Sequence, residues 1–208
     1  KRKRVGVPGP APESDKHTLA AAEQLQGKEL SYNNYLDTDA AWASVREFDN
    51  AIPTCVIIKH LTPCGIAEGA TLLEAYRDAW ACDTVSAFGG VMAFNQTVTE
   101  DVAREIVEVN KQFIEVVIAP DYDEGALKVF SAKENARILR TGGINPAGGD
   151  PDIRAVEGGV VMQTIDTVAE DPETFTVPTK TAPTDEQLKA LLFAWRCCKC
   201  VKSNLSES

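Results

Sequence analysis

A chain of 208 residues, 44% of them hydrophobic and 25% charged, is long enough for one or two globular domains with a real core. Its formal net charge of −10 repels phosphate backbones and anionic membranes, so nucleic acid is not an expected partner. A small anionic substrate stays admissible, because local potential need not follow net charge.

No apolar run approaches the roughly 18 residues of a membrane span. Lys1–Arg4 are basic, but Val5-Gly6-Val7-Pro8-Gly9-Pro10 is no signal-peptide core, so the expected compartment is the cytoplasm. The six cysteines read as reduced thiols used as small apolar residues, with no second cluster to complete a zinc site.

Residues 1–16 mix basic residues, prolines and glycines without apolar periodicity and read as a loose tail; globular composition starts at Leu19. Asp37 or Thr38 is a candidate cap for a helix with Ala41, Trp42, Val45 and Phe48 on one face. Cys55–Ile58 is apolar and mostly β-branched, a buried strand that ends in Lys59-His60 and a turn at Pro63 and Gly65. Thr71-Leu72-Leu73-Glu74 is a capping box, with Leu72, Ala75, Tyr76, Ala79 and Trp80 as the stripe behind it.

Val91–Phe94 is a second strand. Thr99 opens a helix with Val102, Ile106 and Val109 at helical spacing, and Ile114–Ala119 is a third strand stopped by Pro120. A helix near 123–133 and a strand near 137–140 follow. Residues 142–152 form a loop, 158–163 one more strand, and 166–183 an irregular stretch with three prolines. Thr184 caps a last helix with Leu188, Leu191, Leu192, Trp195 and Cys198 inward. Strands alternating with helices imply an α/β sheet covered on both faces.

Lys59 and His60 are the first candidates for chemistry. In open α/β sheets ligands sit beyond the carboxyl ends of strands. A lysine there can stabilise an oxyanion, and one of only two histidines in the chain can move a proton near neutral pH. Taken alone, the pair reads equally as surface residues at a strand end. Ser86-Ala87-Phe88-Gly89-Gly90 offers close backbone approach to a ligand, or a plain turn. Ser31-Tyr32-Asn33-Asn34 ahead of Asp37 offers amides for a polar heterocycle, or a turn with its cap.

Six segments occur in order: Gln26–Asn34, Asp37–Ala41, Lys59–Ala67, Ser86–Gly90, Glu115–Pro120 and Val201–Asn204. Together they closely resemble the formyltransferase part of the bifunctional AICAR formyltransferase/IMP cyclohydrolase family of purine biosynthesis, over roughly residues 19–204. The resemblance implies formyl transfer from 10-formyltetrahydrofolate, as co-substrate, to the amine of AICAR, with no metal. It implies that Lys59, His60 and Asn204 are catalytic, and that Asn34, Phe88, Gly89 and Glu115 line the substrate pocket.

The fold implied is a three-layer αβα sandwich similar to the cytidine deaminases, without the H-x-E and P-C-x-x-C zinc pattern. A homodimer is implied as well. Against the family's pattern, the cyclohydrolase part is absent, the Arg-Tyr-Gly-Glu-Asn motif is missing upstream of Leu19, and residues 205–208 replace the second half. The expectation is therefore a tail (1–18), a first half-domain (19–204) and a truncated end (205–208), with impaired turnover. The alternative is a non-catalytic module for ligand binding or association.

Overall fold

The computed structural model describes residues 16–146 and 151–201. The chain divides into two compact units: the first takes residues up to Asn145 and again from Cys200, the second Pro146–Lys199.

The first unit runs β1 (Glu23–Gln26), α1 (Tyr32–Val45), β2 (Thr54–Lys59), β3 (Thr62–Glu68), α2 (Leu72–Cys82), β4 (Val91–Phe94) and α3 (Glu100–Arg104). A π-helical turn over Glu105–Val109 continues α3; then come β5 (Val116–Ala119), α4 (Glu124–Phe130) and β6 (Arg137–Arg140). Six strands form one sheet in the order β1-β6-β5-β4-β2-β3. β4, β5 and β6 are mutually parallel, whereas β2 runs antiparallel to both β4 and β3, and β1 antiparallel to β6.

Helices cover both faces of this mixed sheet. Ile57, Met92, Val117 and Ile138 share one buried cluster with Tyr76 of α2, with Ile106, and with Ala126 and Phe130 of α4. The alternate residues Val56, Ile58, Ala93 and Ile118 are buried too, on the face where α1 packs against β2, β4 and β5. Ala41, Trp42 and Val45 form the buried stripe of α1. Trp42 at 2% exposure contributes roughly 2–3 kcal/mol by burial. Burial on both faces is why these strands read as continuous apolar runs rather than alternating ones.

In the first unit four expectations change. α1 starts at Tyr32, not at Asp37 or Thr38: Ser31 accepts from the Asn34 N–H at 3.0 Å, and Asn34 Oδ1 accepts from the Ser31 N–H at 2.9 Å. That reciprocal box uses Asn where Glu or Gln is usual, so its signature is faint. Val109 is 63% exposed, because the π-helical turn inserts an extra residue and rotates it out of the α3 stripe. The third strand starts at Val116, leaving Ile114 and Glu115 ahead of it.

The fourth change is β3, expected as a turn. Pro63 and Gly65 are tolerated because β3 is an edge strand. Pairing steps from Ile57↔Gly65 to Ile58↔Pro63, which leaves Cys64 as the extra residue of a bulge. Gly65 lets α2 descend onto β3: a Cβ there would lie 1.9 Å from the Ala79 carbonyl oxygen.

The second unit holds the hairpin β7 (Asp152–Val156) and β8 (Gly159–Gln163), and α5 (Asp185–Lys199). Thr184 and Gln187 form the expected capping box. The inward stripe does not hold: Leu191 is 59% and Trp195 65% exposed, and α5 buries none of its residues. Both line a cleft of ≈ 820 Å³ with Val168, Phe175 and Leu188. Periodicity marks an apolar face but does not supply the element that covers it. Among the described residues, no helix is long and apolar enough to cross a membrane.

Candidate functional site

Strand direction decides where the candidate residues meet. Ile58 pairs with Val91, Val91 with Val116, and Val116 with Arg137, one row straight across the sheet. One step beyond that row stand Lys59, Gly90 and Glu115. This edge is the carboxyl end of β2 but the amino end of β4, β5 and β6. Among the four strands of this row, the carboxyl-end rule for parallel sheets thus holds for β2 alone, because β2 runs against β4.

Lys59 closes β2, and its Nζ donates to the Phe88 carbonyl at 2.8 Å. The Gly89 N–H donates to the Phe113 carbonyl at 3.0 Å, with Gly89 at φ +75°. The Phe88 and Phe113 rings meet at a 30° tilt with centroids 5.9 Å apart, each about half exposed. Asp83 fixes the start of the same loop by accepting from the Val85 and Ser86 N–H groups. Those bonds, led by Ser86, hold its carboxyl below the ordinary range.

His60 is exposed and stands at φ 54° as the first residue of the β2–β3 turn; Leu61 follows at φ 66°. The other histidine is committed to structure. His17 Nδ1 donates to the Thr141 carbonyl at 2.9 Å, and the His17 carbonyl accepts from Trp42 Nε1 at 3.0 Å.

Asn34 and Glu115 meet at the amino end of α1. Asn34 Nδ2 donates to Glu115 Oε2 at 3.3 Å, and Arg137 donates to the same oxygen at 2.8 Å. Arg137 is 12% and Glu115 31% exposed at the side chain. With Oδ1 on the Ser31 N–H, the Asn34 amide is engaged at both ends within the protein. Asn204 lies outside the described residues.

Sequence reasoning missed Arg137 and Gln112, and placed Tyr76 only in the apolar stripe of its helix. Gln112 is fully buried and donates to the Ala87 carbonyl at 2.8 Å, while its Oε1 accepts from the Tyr76 hydroxyl at 3.0 Å. Asn110 donates to the same hydroxyl at 3.0 Å. These residues brace the Phe88–Gly89 loop from below. Nothing in the spacing marks Gln112, since a buried amide in a non-helical stretch has no periodic signature.

Burial pushes the Tyr76 phenol well above its ordinary pKa, against a smaller opposite effect of Asn110; Tyr122 and Cys55 are raised by burial too. Raised groups contribute stability below their unfolded pKa and lose it as pH rises through the folded value. Urea midpoints should therefore fall between about pH 9 and pH 11, as the unfolded phenols and thiol ionise first. Tyr76→Phe should flatten that fall; an equally steep fall in the variant would remove Tyr76 from the account.

Cys64 Sγ lies 3.4 Å from the Ile57 carbonyl, where it shapes the bulge. Burial raises its thiol pKa, against a smaller lowering from its own backbone hydrogen bond. Among the described residues, no three His, Cys, Asp or Glu side chains group as metal ligands. The edge thus combines a fixed cation, an exposed imidazole, aromatic faces and a glycine loop, a combination suited to proton transfer beside a developing negative charge.

Comparison with known proteins shows the family. The model of the family described as AICARFT/IMPCHase bienzyme matches residues 10–205. The "Bifunctional purine biosynthesis protein PurH" of Bradyrhizobium diazoefficiens is 48% identical over 188 residues, covering 89% of this chain and 35% of that protein. Proteins of the same name from Xanthomonas campestris pv. campestris and Xanthomonas oryzae pv. oryzae are each 48% identical over 190 residues, covering 90% of the chain and 34% of theirs. The chain spans about a third of the length of these curated relatives.

Proposed function

We propose, because the chain belongs to the AICARFT/IMPCHase bienzyme family, that it carries the Lys-His part of a site for formyl transfer from 10-formyltetrahydrofolate to AICAR in purine biosynthesis. The observation that supports this reading most is the Lys59-His60 pair at one sheet edge with the Phe88–Gly89 loop.

The AICAR amine is a weak nucleophile, its lone pair delocalised into the ring and carboxamide. Its attack on the formyl carbon creates a tetrahedral oxyanion and an ammonium centre. His60 accepts the amine proton and returns it to the leaving nitrogen of the folate. Lys59, held over the loop, places positive charge beside the oxyanion. Phe88 and Gly89 give the heterocycle a face and close backbone approach. Asn34 and Glu115 shape the pocket floor, and Asn204 joins the catalytic pair.

We read the fold as a cytidine deaminase-like three-layer sandwich, supported by an antiparallel hairpin followed by parallel strands linked through helices. Residues 19–204 then correspond to the first half of the formyltransferase domain. A cytoplasmic location and a homodimer go with the same reading.

Formyl transfer by the purified chain with both substrates tests the proposal. We expect turnover far below that of a full-length relative, and sensitive to Lys59→Ala. A full-length rate would refute the impairment, and a rate unchanged in Lys59→Ala would refute the site.

A further inference from the structure

We propose that Asp37 is a positioning residue for His60, acting as a clamp on the turn that presents it. The inference rests on the reading of His60 as the proton-transfer group.

β2 and β3 are joined by two residues only, since Lys59 pairs directly with Thr62. Both linking residues have positive φ, His60 at 54° and Leu61 at 66°. A two-residue hairpin turn with both φ values positive is the primed type that matches strand twist, and its usual occupants are Asn-Gly or Asp-Gly. Here neither residue is glycine. A leucine in the left-handed region brings its Cβ against the following carbonyl, so the turn persists only where its surroundings enforce it.

The enforcing contact comes from another element. Asp37 of α1 accepts the Leu61 N–H on Oδ1 at 2.8 Å, a charge-assisted bond. α1 is itself tied down two ways. Asn34, one turn earlier, is held by Glu115 and through it by Arg137. Trp42, further along, is buried and bonded to the His17 carbonyl. Asp37 is thus a fixed acceptor at the one backbone donor that sets the second turn residue. Fixing Leu61 fixes His60, whose ring has no hydrogen-bond partner among the described residues to hold it otherwise.

Sequence reading took Asp37 for a helix cap. In the structure it sits inside α1, where its carboxylate is free of capping duty and turned to the hairpin.

The test reads the turn itself in the isotope-labelled chain by NMR. In the unaltered protein, His60 and Leu61 give the strong intraresidue HN–Hα cross-peaks of positive φ. In Asp37→Ala these weaken and the Leu61 amide exchanges roughly tenfold faster, the cost of one lost hydrogen bond. Asp37→Asn keeps an acceptor oxygen and keeps the cross-peaks. Leu61→Gly in the Asp37→Ala background restores positive φ at His60, because glycine enters that region without a Cβ penalty.

Unchanged cross-peaks and exchange in Asp37→Ala would overturn the clamp, as would failure of Leu61→Gly to restore His60. If Asp37→Ala does not fold, Asp37→Asn decides: its uncharged acceptor should still speed Leu61 exchange severalfold over the carboxylate, and no change overturns the proposal. A turn that relaxes as stated while His60→Ala leaves formyl transfer untouched would sink the functional reading and leave the clamp standing.

Discussion

Replacing His60 by Ala should lower the rate of formyl transfer at least a hundredfold, the smaller end of what general acid–base catalysis by one positioned side chain supplies. The expectation is sharpened by the fate of the second histidine. His17 is bonded to the Thr141 carbonyl, and its backbone anchors Trp42, so no other imidazole stands in for the lost one. The loss should appear in kcat, with KM for AICAR little moved, because His60 is exposed at the turn and supplies no pocket wall. Steady-state rates over a range of both substrates give the answer. Equal kcat in the variant would take His60 out of the mechanism. Lys59→Ala should cost as much and also release the Phe88 carbonyl, so its KM should rise together with the fall in kcat.

Replacing Gln112 by Ala should destabilise the chain by about 3 kcal/mol. The side chain is fully buried; its loss leaves the Tyr76 hydroxyl without its acceptor and the Ala87 carbonyl with one donor of two, the Gly90 N–H. The orphaned hydroxyl proton costs roughly 1–3 kcal/mol, and the lost bond to Ala87 and the cavity add to that. For a chain of this size the melting temperature should fall by about 6–12 °C. The effect should reach the site, because Ala87 immediately precedes Phe88, the acceptor of Lys59. Faster exchange at the Gly89 and Gly90 amides would report it. A melting point within about 1 °C of the unaltered chain would show that the amide is not a brace.

The sequence carried the centre of the sheet well. β2, β4 and β5 are legible because burial on both faces turns each into an apolar run. The edge strands were not legible: β1 is Glu-Gln-Leu-Gln and half exposed, and β3 contains the two residues that ordinarily end a strand. Lys59 and His60 stand out as candidates because they end an apolar run abruptly, and Phe88 because two glycines follow it. Asn34 was legible as polar, but its reciprocal bond with Ser31 was hidden behind an unusual partner residue. What sequence could not give was direction. Only the antiparallel pairing of β2 with β4 brings Lys59 to the same edge as Glu115 and Arg137.

The π-helical turn at Glu105–Val109 makes residue count a design variable of this site. Its signature bonds reach one residue further than α-helical ones, from the Asn110 N–H to the Glu105 carbonyl at 2.9 Å. Deleting any one residue of that turn would let it relax to ordinary pitch and swing all that follows by about a hundred degrees. Asn110 and Gln112 would then face away from Tyr76 and Ala87. A family member one residue shorter here would need another way to steady its glycine loop, and an indel at this spot, far from any reacting atom, would behave as an active-site mutation.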